Sequence, residues 1–147
     1  MSNILSSVGF AEGFLPLALA ITSFLSAFNT VQCYVTTAYN HRIYNEVPVQ
    51  AAGKDKTAQS EVTGLSCRTF GIWTALSGFI RMYAAFYLND THVYRLCFAT
   101  YVCAWLHFVS EVVVFKTANL NGVVKGPLIV ATTMGSWMLI QWGAYVQ

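Results

Sequence analysis

The sequence predicts an all-α protein, an integral membrane bundle of four transmembrane helices forming a single domain over residues 1–147. Three observations predict it. Only 10% of the residues are charged and 56% are hydrophobic, whereas a soluble domain carries ~25% charge. Mean hydropathy is +0.52. The apolar residues also fall into four stretches, each close to the ~20 residues that cross a bilayer.

The first span covers about 14–37. No charged residue occurs from Gly13 to Asn40, and Pro16 is tolerated in the opening turn. No Lys or Arg precedes Arg42, and the run is too long for a signal-peptide core, so it reads as a span. Residues 41–64 hold Pro48, Gly53 and most of the charge, the pattern of a water-exposed loop. Spans two and three, 66–88 and 92–115, are separated only by Asn89-Asp90-Thr91 and must form an antiparallel hairpin. A second polar link, 116–125, has Asn121-Gly122 as its turn. Pro127 then opens the fourth span, 127–146.

Four spans put both termini on one side and both loops on the other. The loop side holds Arg42, Lys54, Lys56, Lys116 and Lys125. The positive-inside bias therefore makes loops 41–64 and 116–125 cytosolic and sends both termini across the membrane.

Ionisable residues inside spans cost ~2.5–3.5 kcal/mol each on insertion scales, so they come with partners or a purpose. Arg68 lies 22 residues before Asp90 and Glu111 lies 21 after it, which puts them at one depth. They are expected to pair. Asn29, Gln32 and His107 fall near the same level, giving a candidate intramembrane polar cluster of Asn29, Gln32, Arg68, His107 and Glu111. It reads as interhelical glue, with a ligand or sterol-headgroup site and proton chemistry as alternatives. Arg81 lies deeper, about two turns from the opposite end, level with Thr100 and Gln141. Gly64, Gly71, Gly78 and Ala85 recur every seven residues with Ala75 between them, a small-residue stripe that admits another backbone. Gly71, Ala75, Gly78 and Arg81 are thus a candidate interface, either within the bundle or toward a homodimer or another partner. Tyr83, Tyr87, His92 and Tyr94 read as an aromatic belt at the hairpin end.

Other chemistry finds no support. The net charge of +2 forms no basic patch, so no nucleic acid partner is expected. Cys33, Cys67, Cys97 and Cys103 include no C-x-x-C pair. Cys103, His107 and Glu111 share one helical face, but His41 and His92 fall at opposite ends of the bundle, and no metal centre is expected. No phosphate loop, dinucleotide fingerprint or ordered Ser-His-Asp set occurs. No catalytic residue and no cofactor is predicted.

The motifs Phe28-Asn29-Thr30-Val31-Gln32-Cys33-Tyr34, Ser66 to Thr74 (SCRTFGIWT), Arg81-Met82-Tyr83, Leu106 to Glu111 (LHFVSE) and Gly126 to Val130 (GPLIV) occur in order. In this combination the chain resembles the ergosterol biosynthetic protein 28 family over most of 14–143. The stretch 46–62 carries none of its motifs. The resemblance implies a non-enzymatic, multi-pass protein of the endoplasmic reticulum membrane that scaffolds sterol C-4 demethylation. Its implied partners are the sterol C-4 methyl oxidase, the 3-hydroxysteroid dehydrogenase/decarboxylase and the 3-keto sterol reductase, with the sterol C-24 methyltransferase as a further candidate. The ergosterol pathway is preferred over the cholesterol one. A sterol-binding carrier passing intermediates between those enzymes is the runner-up, and an intramembrane enzyme is third.

Overall fold

The structure, a computed structural model, describes residues 13–44, 62–120 and 122–146. The N-terminal lead-in, most of the first polar loop (with Lys54 and Lys56) and Asn121 lie outside the described residues. Among the described residues the fold is all helical: α1 Phe14–Val35, α2 Ala38–Ile43, α3 Gly64–Tyr87, α4 Thr91–Val113, α5 Lys125–Ile140 and α6 Trp142–Tyr145. Two of these, α1 and α4, are long and apolar enough to cross a membrane. Helix α3 has the length, with 24 residues, but Arg68, Arg81 and its hydroxyl residues make it less apolar. Helix α5 has 16 residues and breaks at Gln141 before α6, so the expected fourth span is two pieces.

Local chemistry sets the boundaries. Helix α3 starts two residues earlier than expected because Thr63 and Ser66 form a capping box. Thr63 Oγ1 accepts from Ser66 N at 3.1 Å, and Ser66 Oγ accepts from Thr63 N at 2.8 Å. In the tight hairpin, Asp90 caps α4 by accepting from the backbone N–H of His92 (2.8 Å) and Val93 (3.1 Å). Those two bonds hold its carboxyl below the usual carboxylate range. At the other end of α4, Lys116 takes a left-handed conformation (φ 58°) and turns the chain back, so that Thr117 Oγ1 donates to Glu111. Among the described residues the two loops meet through an antiparallel bridge between Tyr44 and Ala118.

Packing follows the small residues. Helix α1 lies closest against α3, and the expected seven-residue stripe is what admits it. A Cβ on Gly71 would sit 3.0 Å from Cβ of Cys33, and one on Gly78 would sit 3.0 Å from Cβ of Ser26. Ser23 Oγ donates to the Gly78 carbonyl (2.7 Å) and Thr30 Oγ1 to the Gly71 carbonyl (3.1 Å). The glycines are consumed inside the bundle, so Gly71, Gly78 and Arg81, all buried, are not an outward partner interface. Ala75 is half-buried.

Helix α5 packs on α4, while α1 and α5 barely touch. One core closes the hairpin end around Leu19, Leu88, Tyr94 and Met138, and a second closes the loop end around Ile43, Phe108, Ala118 and Val124. Tyr94 belongs to the first core rather than to an aromatic belt. It is fully buried, donates to the Met138 carbonyl at 2.5 Å and stacks on Tyr145 with centroids 5.0 Å apart. Tyr83 and Tyr87 do face outward, 4.6 Å apart.

Candidate functional site

Between the two cores lies a partly open cavity of about 420 Å³, within the range of small-ligand sites. It fills the gap left where α1 and α5 fail to pack. Its lining runs along α1 from Thr22 to Gln32 and along α3 from Phe70 to Arg81, roughly 15 Å at 1.5 Å rise per residue. Leu25, Phe28, Phe70, Trp73, Ala104 and Val130 form apolar walls.

Arg81 forms the deep end. Only 7% of it is exposed. Its Nε donates to Thr100 Oγ1 (3.1 Å), Nη1 donates to Ser26 Oγ (3.3 Å), and Cζ lies 4.0 Å above the centre of the Tyr101 ring. Ser26 Oγ donates in turn to the Thr22 carbonyl (2.9 Å), and Thr22 Oγ1 bonds the Tyr101 hydroxyl (2.7 Å). Every one of these partners is neutral. On insertion scales a buried arginine costs ~2.5–3.5 kcal/mol. A desolvated cation–π contact returns ~2 kcal/mol and each hydrogen bond between membrane helices ~0.6–2 kcal/mol, enough to hold the charge in place. Two of the five guanidinium N–H groups are thereby used.

The five-residue cluster expected from depth does not form as one. Asn29 and Gln32 line the cavity, each half-buried. His107 and Glu111 belong to a separate network at the loop end, where His107 Nε2 bonds Tyr44 Oη (2.7 Å) and Nδ1 lies 3.8 Å from Glu111 Oε1. Trp73, Phe108 and Phe70 surround the imidazole with centroids at 5.3, 5.1 and 6.3 Å. Burial pushes the Tyr44 phenol above its ordinary range, and the nearby Glu111 carboxylate adds to the effect. The phenol therefore stays protonated, and the Tyr44–His107 bond forms with either imidazole tautomer, the phenol donating to Nε2 or accepting from Nε2–H.

Arg68 stands apart, exposed on the first turns of α3, and the expected Arg68–Glu111 pair is absent. Glu111 is engaged instead with Thr117 and His107. Arg68→Gln and Glu111→Gln should accordingly be additive within ~0.5 kcal/mol in unfolding in detergent, whereas Tyr44→Phe and His107→Leu should couple by ~0.5–3 kcal/mol. Coupling of the first pair, or none in the second, would contradict this arrangement.

Cys103 is exposed, and among the described residues no group of His, Cys, Asp and Glu is placed to hold a metal. Sequence reasoning missed the cavity and the hydroxyl shelf beneath Arg81. Its signal was present on α1, where Thr22, Ser23, Ser26, Asn29, Thr30 and Cys33 recur at helical spacing on one face.

The Erg28 like protein family matches residues 15–136. The ergosterol biosynthetic protein 28 of Saccharomyces cerevisiae is 40% identical over 131 residues, covering 88% of this chain and 81% of that protein. The chain belongs to the Erg28-like family. The Candida albicans member, also named ergosterol biosynthetic protein 28, is 37% identical over 134 residues, covering 91% of this chain and 89% of its own. The Homo sapiens homolog is 40% identical over 79 residues, which is 54% of this chain and 56% of that protein. No solved structure matches. The Erg28-like match includes Arg81, its neutral partners and the His107 network, and it stops before the break at Gln141. There Gln141 Oε1 is buried without a partner among the described residues.

Proposed function

We propose that the chain serves sterol biosynthesis as a non-catalytic scaffold in the endoplasmic reticulum membrane, with four membrane passes and both polar loops cytosolic. It gathers the sterol C-4 methyl oxidase, the 3-hydroxysteroid dehydrogenase/decarboxylase and the 3-keto sterol reductase. The pathway is supported by the names of the relatives. The observation that carries the tethering reading is the outer surface. Large apolar side chains face outward along every long helix, among them Phe24, Phe79, Trp105 and Ile129. With the glycine stripe consumed inside, α5 presents the small residues Gly126, Thr132, Thr133 and Ser136 outward, the composition through which membrane helices approach closely. Tethering raises the effective concentration of successive enzymes, so a reactive intermediate spends less time loose in the bilayer.

The test is a fusion. Cells lacking the chain should accumulate C-4-methylated or C-4-carboxylated sterols, and joining the oxidase directly to the decarboxylase should relieve much of that defect. If the fusion changes nothing while the purified chain alone turns sterol over, the scaffold reading fails. The cavity favours a second reading, a carrier that passes sterol intermediates between those enzymes. Saturable sterol binding by the isolated chain would support it.

A further inference from the structure

We propose that the cavity between α1 and α5 is a binding site for a carboxylic acid with an apolar body, whose carboxylate meets Arg81. This goes beyond tethering and does not depend on it. The described residues include two carboxylates, Asp90 and Glu111. Asp90 is engaged in capping α4 and Glu111 with Thr117 and His107. Arg81 is 7% exposed and lines the cavity, and three of its guanidinium N–H groups have no acceptor among the described residues. The Tyr101 ring covers one face of the guanidinium, which leaves its edge as the place for an acceptor. A guanidinium edge accepts a carboxylate through two parallel bonds.

The walls specify the rest of the ligand. Beyond Arg81 the walls are mostly Leu25, Phe28, Phe70, Trp73 and Val130, with the uncharged Asn29 and Gln32 amides farther along α1, so the lining offers apolar contact and no second charge. Ser77, near the arginine, can donate a neutral hydrogen bond to the same headgroup. The cavity extends roughly 15 Å from that end. It sits where α1 and α5 are not packed together, so an amphipathic acid dissolved in the bilayer can enter sideways, headgroup inward.

The experiment uses the purified full chain in lipid nanodiscs with a photoreactive, alkyne-tagged palmitic acid, the matched primary alcohol, and unlabelled palmitate or lysophosphatidate as competitors. The acid should label saturably, with adducts on α1 and α5. The alcohol should label roughly 10- to 100-fold less, the loss expected when a hydrogen bond between charged groups is removed. Arg81→Gln should fall by a similar factor. Ala131→Phe, which fills the wall on α5 and leaves the guanidinium untouched, should also abolish saturable labelling. Equal labelling by the alcohol overturns the proposal, as does labelling that survives Ala131→Phe. Displacement by lysophosphatidate at far lower concentration than by palmitate overturns the carboxylate assignment. Should Arg81→Gln fail to fold, the acid–alcohol comparison and Ala131→Phe still decide.

Discussion

Replacing Gly78 with leucine is expected to part α1 from α3 and to remove most of the folded protein. A Cβ there would lie 3.0 Å from Cβ of Ser26 and 3.4 Å from the Ser23 carbonyl oxygen. Neither neighbour is the far end of a flexible side chain, so the helix itself has to move. The bond from Ser23 Oγ to the Gly78 carbonyl is lost with it. Overpacking of this kind costs about 1–3 kcal/mol and the bond ~0.6–1.7 kcal/mol, a large share of the 5–15 kcal/mol that a typical fold has in total. Gly143→Leu is the matched control, because nothing lies within 4 Å of a Cβ at that position. Thermal unfolding in detergent should show Gly143→Leu near wild type and Gly78→Leu far below it. Equal melting of the two would mean that α1 and α3 do not meet along the glycine stripe.

Tyr101 should show the second large effect, and its two substitutions separate two interactions. Its ring lies under the Arg81 guanidinium and its hydroxyl bonds Thr22. Tyr101→Ala removes both and leaves a hole beside a buried cation, for an expected loss of about 3–5 kcal/mol, as for other large aromatic truncations. Tyr101→Phe keeps the ring and gives up only the Thr22 bond, ~0.6–1.7 kcal/mol. Chemical unfolding of the two variants checks the order. If Phe proved as damaging as Ala, the hydroxyl network would be holding Arg81 and the ring would not.

Helix existence and depth were legible in the sequence, and azimuth was not. Stretches bounded by Gly13, the Asn89-Asp90-Thr91 turn and Pro127 place the starts of α1, α3, α4 and α5 within a few residues, because polar punctuation marks where an apolar helix begins. The fourth stretch was read as continuous since Gln141 is uncharged, and one polar residue gives no notice of a helix break. Depth arithmetic correctly levelled Arg81 with Thr100, which are bonded. The same arithmetic levelled Arg68 with Glu111, which are not. Depth fixes a position along the axis, whereas a contact also needs the rotation of each helix, and helices apolar on all sides carry little of that signal. Where it existed, in the hydroxyl face of α1 that turns toward α3, it went unread. The glycine stripe marked a close approach without saying to which helix.

The seam between α1 and α3 also has a consequence for synthesis. Ser23 finds its acceptor on Gly78, 55 residues later in the chain. At ~5–20 residues per second, α1 waits several seconds after translation before its companion emerges. During that interval three of its other hydroxyls have acceptors within the helix itself: Thr22 on the Leu19 carbonyl, Ser26 on the Thr22 carbonyl and Thr30 on the Ser26 carbonyl, at 3.0, 2.9 and 2.9 Å. Asn29 and Gln32 have longer side chains and no such arrangement with a carbonyl one turn back. Together with Ser23, they are the polar groups of α1 that gain their surroundings only when the later helices arrive.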